Sequence, residues 1–165
     1  MVRKAGKPRL PDREEYDPDP GQDPTPEISW DEVERRLAGE RNYWLVTTRA
    51  DGRPHAIAVW AVWVDGALWL TSSPDTVSAK NLARDPRVVV HLESGSNPAV
   101  LEGRIGRSAP GAVPEAVIDA YEAKYGWRMD PADEGMPFHA FRPSVARAWS
   151  AEDVRGSGVR WTFDG

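Results

Sequence analysis

The chain contains no cysteine. Disulfides and thiolate metal centres are therefore excluded, and the composition fits a reducing, cytoplasmic setting. No apolar run approaches the roughly 18–20 residues that a membrane span needs. Basic residues are outnumbered, 21 against 26 acidic, for a net charge of −5, which argues against a nucleic-acid partner. The opening MVRKAGKPRLPD is basic but has no apolar core of the secretory-signal kind. There is no G-x-S-x-G, no Walker-type loop and no G-x-G-x-x-G; Gly103-Arg104-Ile105-Gly106 does not match a nucleotide fingerprint. His55, His91 and His139 are too scattered for metal-ligand spacing, so no metal is expected.

What is present fits a single globular domain. Of 165 residues, 40% are hydrophobic and 28% charged, enough for a real core. Residues 1–27 carry six prolines from Pro8 to Pro26, too many for a helix or an inner strand. They read as a flexible arm, either a disordered tail or a segment laid over a partner subunit. Residues 28–165 form the folded domain.

The organising stretch is Tyr43–Glu93. Asp51-Gly52 and Asp65-Gly66 separate apolar runs, a strong hairpin signal because glycine takes the positive φ of a tight turn. Three antiparallel strands are predicted: Tyr43–Arg49, Pro54–Val64 and Ala67–Ser73. In the second, alternation places His55, Ile57, Val59, Ala61 and Trp63 on one face, with Ala56, Ala58, Trp60, Val62 and Val64 on the other. Neither face is polar, so both should be buried, one in a barrel interior and one against a helix, a cofactor or another subunit.

Around this unit, Ser29-Trp30-Asp31-Glu32 has capping-box form and predicts a helix to about Ala38. A second helix spans Asp75–Arg84, capped by Asp75 or Thr76, and Asp85-Pro86 ends it. Strands follow at Arg87–Leu92 and at Pro98–Arg107, with a bulge at Gly103. A helix at Pro114–Tyr125 puts Val117, Tyr121 and Tyr125 on one face and stops at Gly126. After an irregular acidic loop come a strand at Phe138–Ala151, broken near Pro143, and a last strand at Val159–Phe163. The pattern is mainly β with capping helices: a small antiparallel barrel of six to seven strands.

Chemistry concentrates at Thr71-Ser72-Ser73 and Ser78, Lys80 and Asn81. Hydroxyls, helix-start N–H groups and one lysine suit a phosphate, though the same residues also make an ordinary helix cap with a solvated lysine. His55 either donates to a phosphate or ring carbonyl or is a satisfied strand-edge histidine. Trp60, Trp63 and Trp69 either wall a flat aromatic ligand or fill core and interface.

At LVTTRADGRPHAIAVWAVWVDGALWLTSS and SAKNLARDPRVVV, with the later AYEAKYGW and RWTF, the chain resembles the flavin-binding split-barrel superfamily. That superfamily includes pyridoxamine 5′-phosphate oxidases and actinobacterial deazaflavin-dependent reductases. The resemblance covers about Trp44 to Phe163. It implies an FMN-binding-type split β-barrel homodimer with cofactor grooves at the subunit interface. It further implies that His55, Ile57, Ala58, Val59 and Trp60 run along the ring and side chain. Thr71 and Ser72 would touch the chain or phosphate, and Ser78, Lys80 and Asn81 would bind the phosphate. Pyridoxamine oxidases carry arginine where His55 stands, lysine where Trp60 stands, and Arg-Lys where Ala79-Lys80 stands. Those departures resemble the group that uses coenzyme F420, with FMN as the alternative. The implied function is hydride transfer between F420 or FMN and a small organic substrate stacked beside Trp60 and Trp63, with Tyr43 and His139 as candidate proton donors. Rival readings are a pyridoxamine 5′-phosphate oxidase-like protein and a non-catalytic flavin- or haem-binding protein.

Overall fold

The computed structural model describes residues 1–6 and 26–163. Its elements in order are β1 (Val2–Gly6), α1 (Trp30–Gly39), β2 (Tyr43–Thr48), β3 (Pro54–Val59), β4 (Ala61–Val64), β5 (Ala67–Thr71), α2 (Val77–Arg84), β6 (Arg87–His91), β7 (Ala99–Arg107), α3 (Glu115–Tyr125), β8 (Phe138–Ala148), α4 (Val154–Ser157) and β9 (Val159–Phe163). All the pairings are antiparallel: β1-β9-β8-β7-β6-β2-β3 form one path, and β4 pairs with β5, which pairs with β8. Because β3 runs directly into β4, the ring β2-β3/β4-β5-β8-β7-β6 closes on itself as a barrel. Among the described residues no helix is long and apolar enough to cross a membrane.

The predicted hairpins form. Gly52 and Gly66 take φ of 84° and 71°, and Asp65 joins the second turn at φ 51°. Ser29 caps α1, its hydroxyl accepting from the Glu32 N–H at 3.2 Å. Thr76 caps α2 through the Ala79 N–H at 3.1 Å. Gly126 ends α3 in the left-handed region.

Four expectations need correction. The second strand breaks at Trp60, because the chain there leaves β2 and takes β5 as its partner. The predicted alternation survives the break, but the burial does not. Ala61 packs inside the barrel, and Val62 packs outside it under α3. Upstream, β3 is an edge strand among the described residues, with Ile57 and Trp60 left 42% and 46% exposed. The arm is the second correction. Val2–Gly6, which precede the first proline, pair with β9 as an edge strand, while residues 7–25 lie outside the described residues. Third, β8 runs unbroken to Ala148 and the bulge lies on it. Glu102 faces Val145 and Gly103 faces Pro143, which makes Ser144 the extra residue. Ser144 Oγ donates to the Glu102 carbonyl at 3.2 Å. Fourth, α4 was not foreseen; Asp153 caps it by accepting from the Gly156 N–H.

Two apolar clusters hold the molecule together. Inside the barrel, Tyr43, Leu45, Leu68, Leu70, Val90, Leu101 and Phe141 are essentially fully buried, and α1 closes one end with Val33 and Leu37. Outside it, α3 lays Val117, Ile118 and Tyr121 over Val62, Trp69 and Phe138. Side chains of this size each contribute about 1.5–3 kcal/mol on burial.

Gly103 tests the bulge. A Cβ there would lie 2.1 Å from the Arg142 carbonyl oxygen, a backbone atom that cannot swing away. Gly103→Ala is expected to lower stability by about 1–3 kcal/mol in urea denaturation, the range for an overpacked interior position.

Candidate functional site

The exposed apolar edge of β3 is the centre of the candidate site, and each of its ends is anchored differently. At the Trp60 end the ladder is interrupted, and α3 supplies the missing partners. Tyr121 donates its hydroxyl to the Trp60 carbonyl at 3.0 Å. The Tyr125 hydroxyl accepts from the Ala61 N–H at 2.9 Å, and its own proton serves the Arg41 carbonyl at 2.8 Å or the Ala61 carbonyl at 2.9 Å. Lys124 Nζ donates to the Tyr43 hydroxyl at 2.9 Å and to the Ala61 carbonyl at 3.1 Å. The Trp60 ring stacks on Tyr125 with centroids 4.7 Å apart and planes 6° off parallel. The Arg41 guanidinium lies 5.6 Å from the Tyr125 centroid and 6.0 Å from that of Trp60. The result is a flat, half-exposed aromatic platform with a cation at its side.

The His55 end is polar. Asn81 Nδ2 donates to Thr47 Oγ1 at 2.9 Å, and Thr47 Oγ1 lies 3.4 Å from His55 Nδ1. Asn81 is buried in the face of α2 that carries Ser78, one turn earlier. Ser78 Oγ is buried and has no hydrogen-bond partner among the described residues. From His55 to Val59, the last residue of β3, the strand spans roughly 13 Å, at about 3.3 Å per residue, and the chain breaks from it at Trp60.

The remaining predicted site residues divide. Ile57 and Ala58 are exposed on β3 and Val59 is half-buried. Thr71 is half-buried at the end of β5 and lies near Tyr121 on the α3 side. Ser72 Oγ meets Thr76 Oγ1 at 2.9 Å, inside the cap of α2. Lys80 is turned about 200° around the helix from Ser78, at about 100° per residue. It is exposed and lines a separate cavity that also contains His139. The three tryptophans do not form one wall. Trp63 packs edge-on to Trp30 and donates to Glu34 Oε1 at 3.3 Å, Trp69 is buried under α3, and Trp60 alone of the three faces solvent.

Tyr43 is not a proton donor to any groove. It is fully buried, its hydroxyl donates to the Leu37 carbonyl, and burial raises its pKa well above the usual phenol range. Lys124 carries a perturbation that the sequence hid. Burial lowers its pKa to about 8, with Arg41 pushing the same way and Glu40 opposing. Its helical position resembles that of any surface lysine, and only the Tyr121/Tyr125 face hinted that α3 reaches the barrel.

The family model described as Pyridoxamine 5'-phosphate oxidase matches residues 29–150. Among solved structures, a conserved hypothetical protein from Mycobacterium tuberculosis is 26% identical, with a TM-score of 0.63, over 77% of this chain and 88% of that one. An F420 reductase is 20% identical, with a TM-score of 0.55, over 68% and 94%. A heme binding protein from Mycobacterium smegmatis is 23% identical, with a TM-score of 0.58, over 75% and 55%. No curated protein is significantly similar to the chain.

The lowered Lys124 pKa has a sign. Between about pH 8 and the ordinary lysine value of 10.5, the unfolded chain binds a proton that the folded chain has released, so stability should rise with pH across the lower part of that window. Above about pH 10 the raised tyrosines Tyr43, Tyr121 and Tyr125 reverse the trend. Urea midpoints measured from pH 7 to 10 should show the rise, and Lys124→Met should flatten it.

Proposed function

The chain belongs to the pyridoxamine 5′-phosphate oxidase family, and on that premise we propose that it is an oxidoreductase that uses coenzyme F420, or alternatively FMN, on a small organic substrate. The carrying observation is the bipolar β3 edge, with a stacked aromatic platform at Trp60 and a polar end at His55, Asn81 and the unpartnered Ser78 hydroxyl. This donor set fits a ligand with a flat ring at one end and a phosphate at the other. An orphaned buried hydroxyl beside the start of a helix is the kind of group that a phosphate oxygen satisfies.

Trp60 would flank the ring, and the exposed strand from Ile57 to Val59 would run along it. His55, Ser78 and Asn81 would hold the phosphate. When bound, such a cofactor supplies two-electron hydride chemistry. The chain's own part is to bind and orient it. The exposed backbone of β3 offers edge N–H and C=O groups, and the Tyr121, Tyr125 and Lys124 bonds at Trp60 and Ala61 fix the angle of the platform. Uncharged Trp60 and the absence of an Arg-Lys pair before Asn81 favour the deazaflavin over tightly held FMN. One structural neighbour is an F420 reductase, although at 20% identity it shares the fold alone.

We also propose that the protein works as a homodimer. Trp44, Ala56 and Ala58 form a continuous exposed face across β2 and β3, with Trp44 opposite Ala58 and Val46 opposite Ala56. A second copy laid on this face would bury it and wall the groove beside Trp60.

Tryptophan fluorescence during titration with F420 and with FMN tests the cofactor. Quenching that is tighter for F420 is expected, with Trp60→Ala removing much of the signal and His55→Ala weakening binding about tenfold, the equivalent of about 1.4 kcal/mol. Quenching by neither coenzyme, together with a Soret shift on adding haem, would sink the hydride-transfer reading. Sedimentation should give twice the chain mass, and Ala58→Arg should return it to the monomer.

A further inference from the structure

We infer that the cavity between α2 and the β7–β8 ladder is a binding site for a small organic carboxylate, with His139 at its floor and Lys80 and Arg107 at its rim. Its volume is about 410 Å³. It lies across α2 from the Asn81–Thr47–His55 chain, so it does not depend on the cofactor reading above.

His139 sits on β8, paired with Leu70 on one side and Arg107 on the other. Only 7% of it is exposed, and its Nε2 has no hydrogen-bond partner among the described residues. Buried imidazole nitrogens are normally satisfied, because a buried polar atom left without a partner is costly. Burial and the nearby Arg107 both lower the His139 pKa, which keeps the ring neutral. In its Nε2–H tautomer a neutral ring still donates to an anion.

Among the described residues the charge at the mouth has one sign: Lys80 and Arg107 line the cavity, no carboxylate does, and neither cation forms an ion pair. The walls select against a wholly polar anion. Pro74, Pro86, Pro137, Leu82 and Ile105 are apolar, and the three prolines have no N–H to offer. A bare phosphate or sulfate would leave these walls facing water. A carboxylate on an aromatic or branched body matches both parts of the lining.

The test uses the full chain with isotope-labelled histidine and follows the imidazole resonances of His139 by NMR. Benzoate is the probe, and inorganic phosphate is the polar comparison. Saturable movement of the His139 signals by benzoate is expected, with phosphate much weaker. Lys80→Ala and Arg107→Ala, both at exposed positions, should each weaken benzoate about tenfold, as loss of a charged hydrogen bond implies. Benzoate that leaves His139 unmoved, or that binds both variants as well as the parent, overturns the site. Phosphate binding as tightly as benzoate overturns the organic part of the assignment. FMN and F420 titrations of the same variants separate the two sites, since this proposal requires coenzyme affinity to survive Arg107→Ala.

Discussion

The hydrogen bonds at Trp60 and Ala61 are what the barrel depends on. A strand that abandons one partner and adopts another must leave backbone groups unpaired at the joint, and each one buried without a partner costs about 1–3 kcal/mol. Here α3 meets that demand with two tyrosine hydroxyls and a lysine. The helix thereby does three things with one face. It covers Val62 and Trp69, it completes the interrupted ladder, and it stacks Tyr125 under Trp60. The aromatic platform is thus a by-product of closing the barrel, and its position is as rigid as the closure.

The same joint divides one apolar strand into two environments. Beyond Trp60 the outer face lies under α3, and before it the outer face is bare. An exposed edge strand with Ile57, Ala56 and Ala58 is an open template for further pairing or packing. In this molecule it is also the proposed groove, so the feature that most needs a cover is the one that would receive a ligand and a second subunit. The polar end is held by a chain through Asn81, Thr47 and His55 that ties α2 to β2 and β3.

Much of the fold was legible because its punctuation is local. Asp51-Gly52, Asp65-Gly66, Ser29 with Glu32, Thr76 and Gly126 each carry their own conformational reason. The break at Trp60 has no such mark, since no glycine, proline or aspartate stands there and only the change of partner from β2 to β5 creates it. Gly103 signalled the bulge correctly but on the wrong strand. Glycine is needed because the bulged partner presses a carbonyl into it, while Ser144, the extra residue, looks ordinary. Val2–Gly6 is short and charged and becomes a strand only because β9 offers an edge. At the site, residue types were readable and directions were not. Ser78 and Lys80 are two apart in sequence and face different spaces, and His139 shares a cavity with Lys80 although the two lie far apart in sequence.

The bulge at Ser144 has a consequence for how the chain comes together in time. It lets one strand turn far enough to serve β5 with its first half, β9 with its second, and β7 along its length. Everything before Phe138 can form hairpins, but the ring stays open between β5 and β7 until β8 arrives. During synthesis, then, the apolar lining of the barrel remains accessible until most of the chain has emerged, because the contacts that seal it join segments far apart in sequence. A ribosome that stalls before β8 would hold two unsatisfied sheet edges, and such nascent chains are natural clients for chaperones.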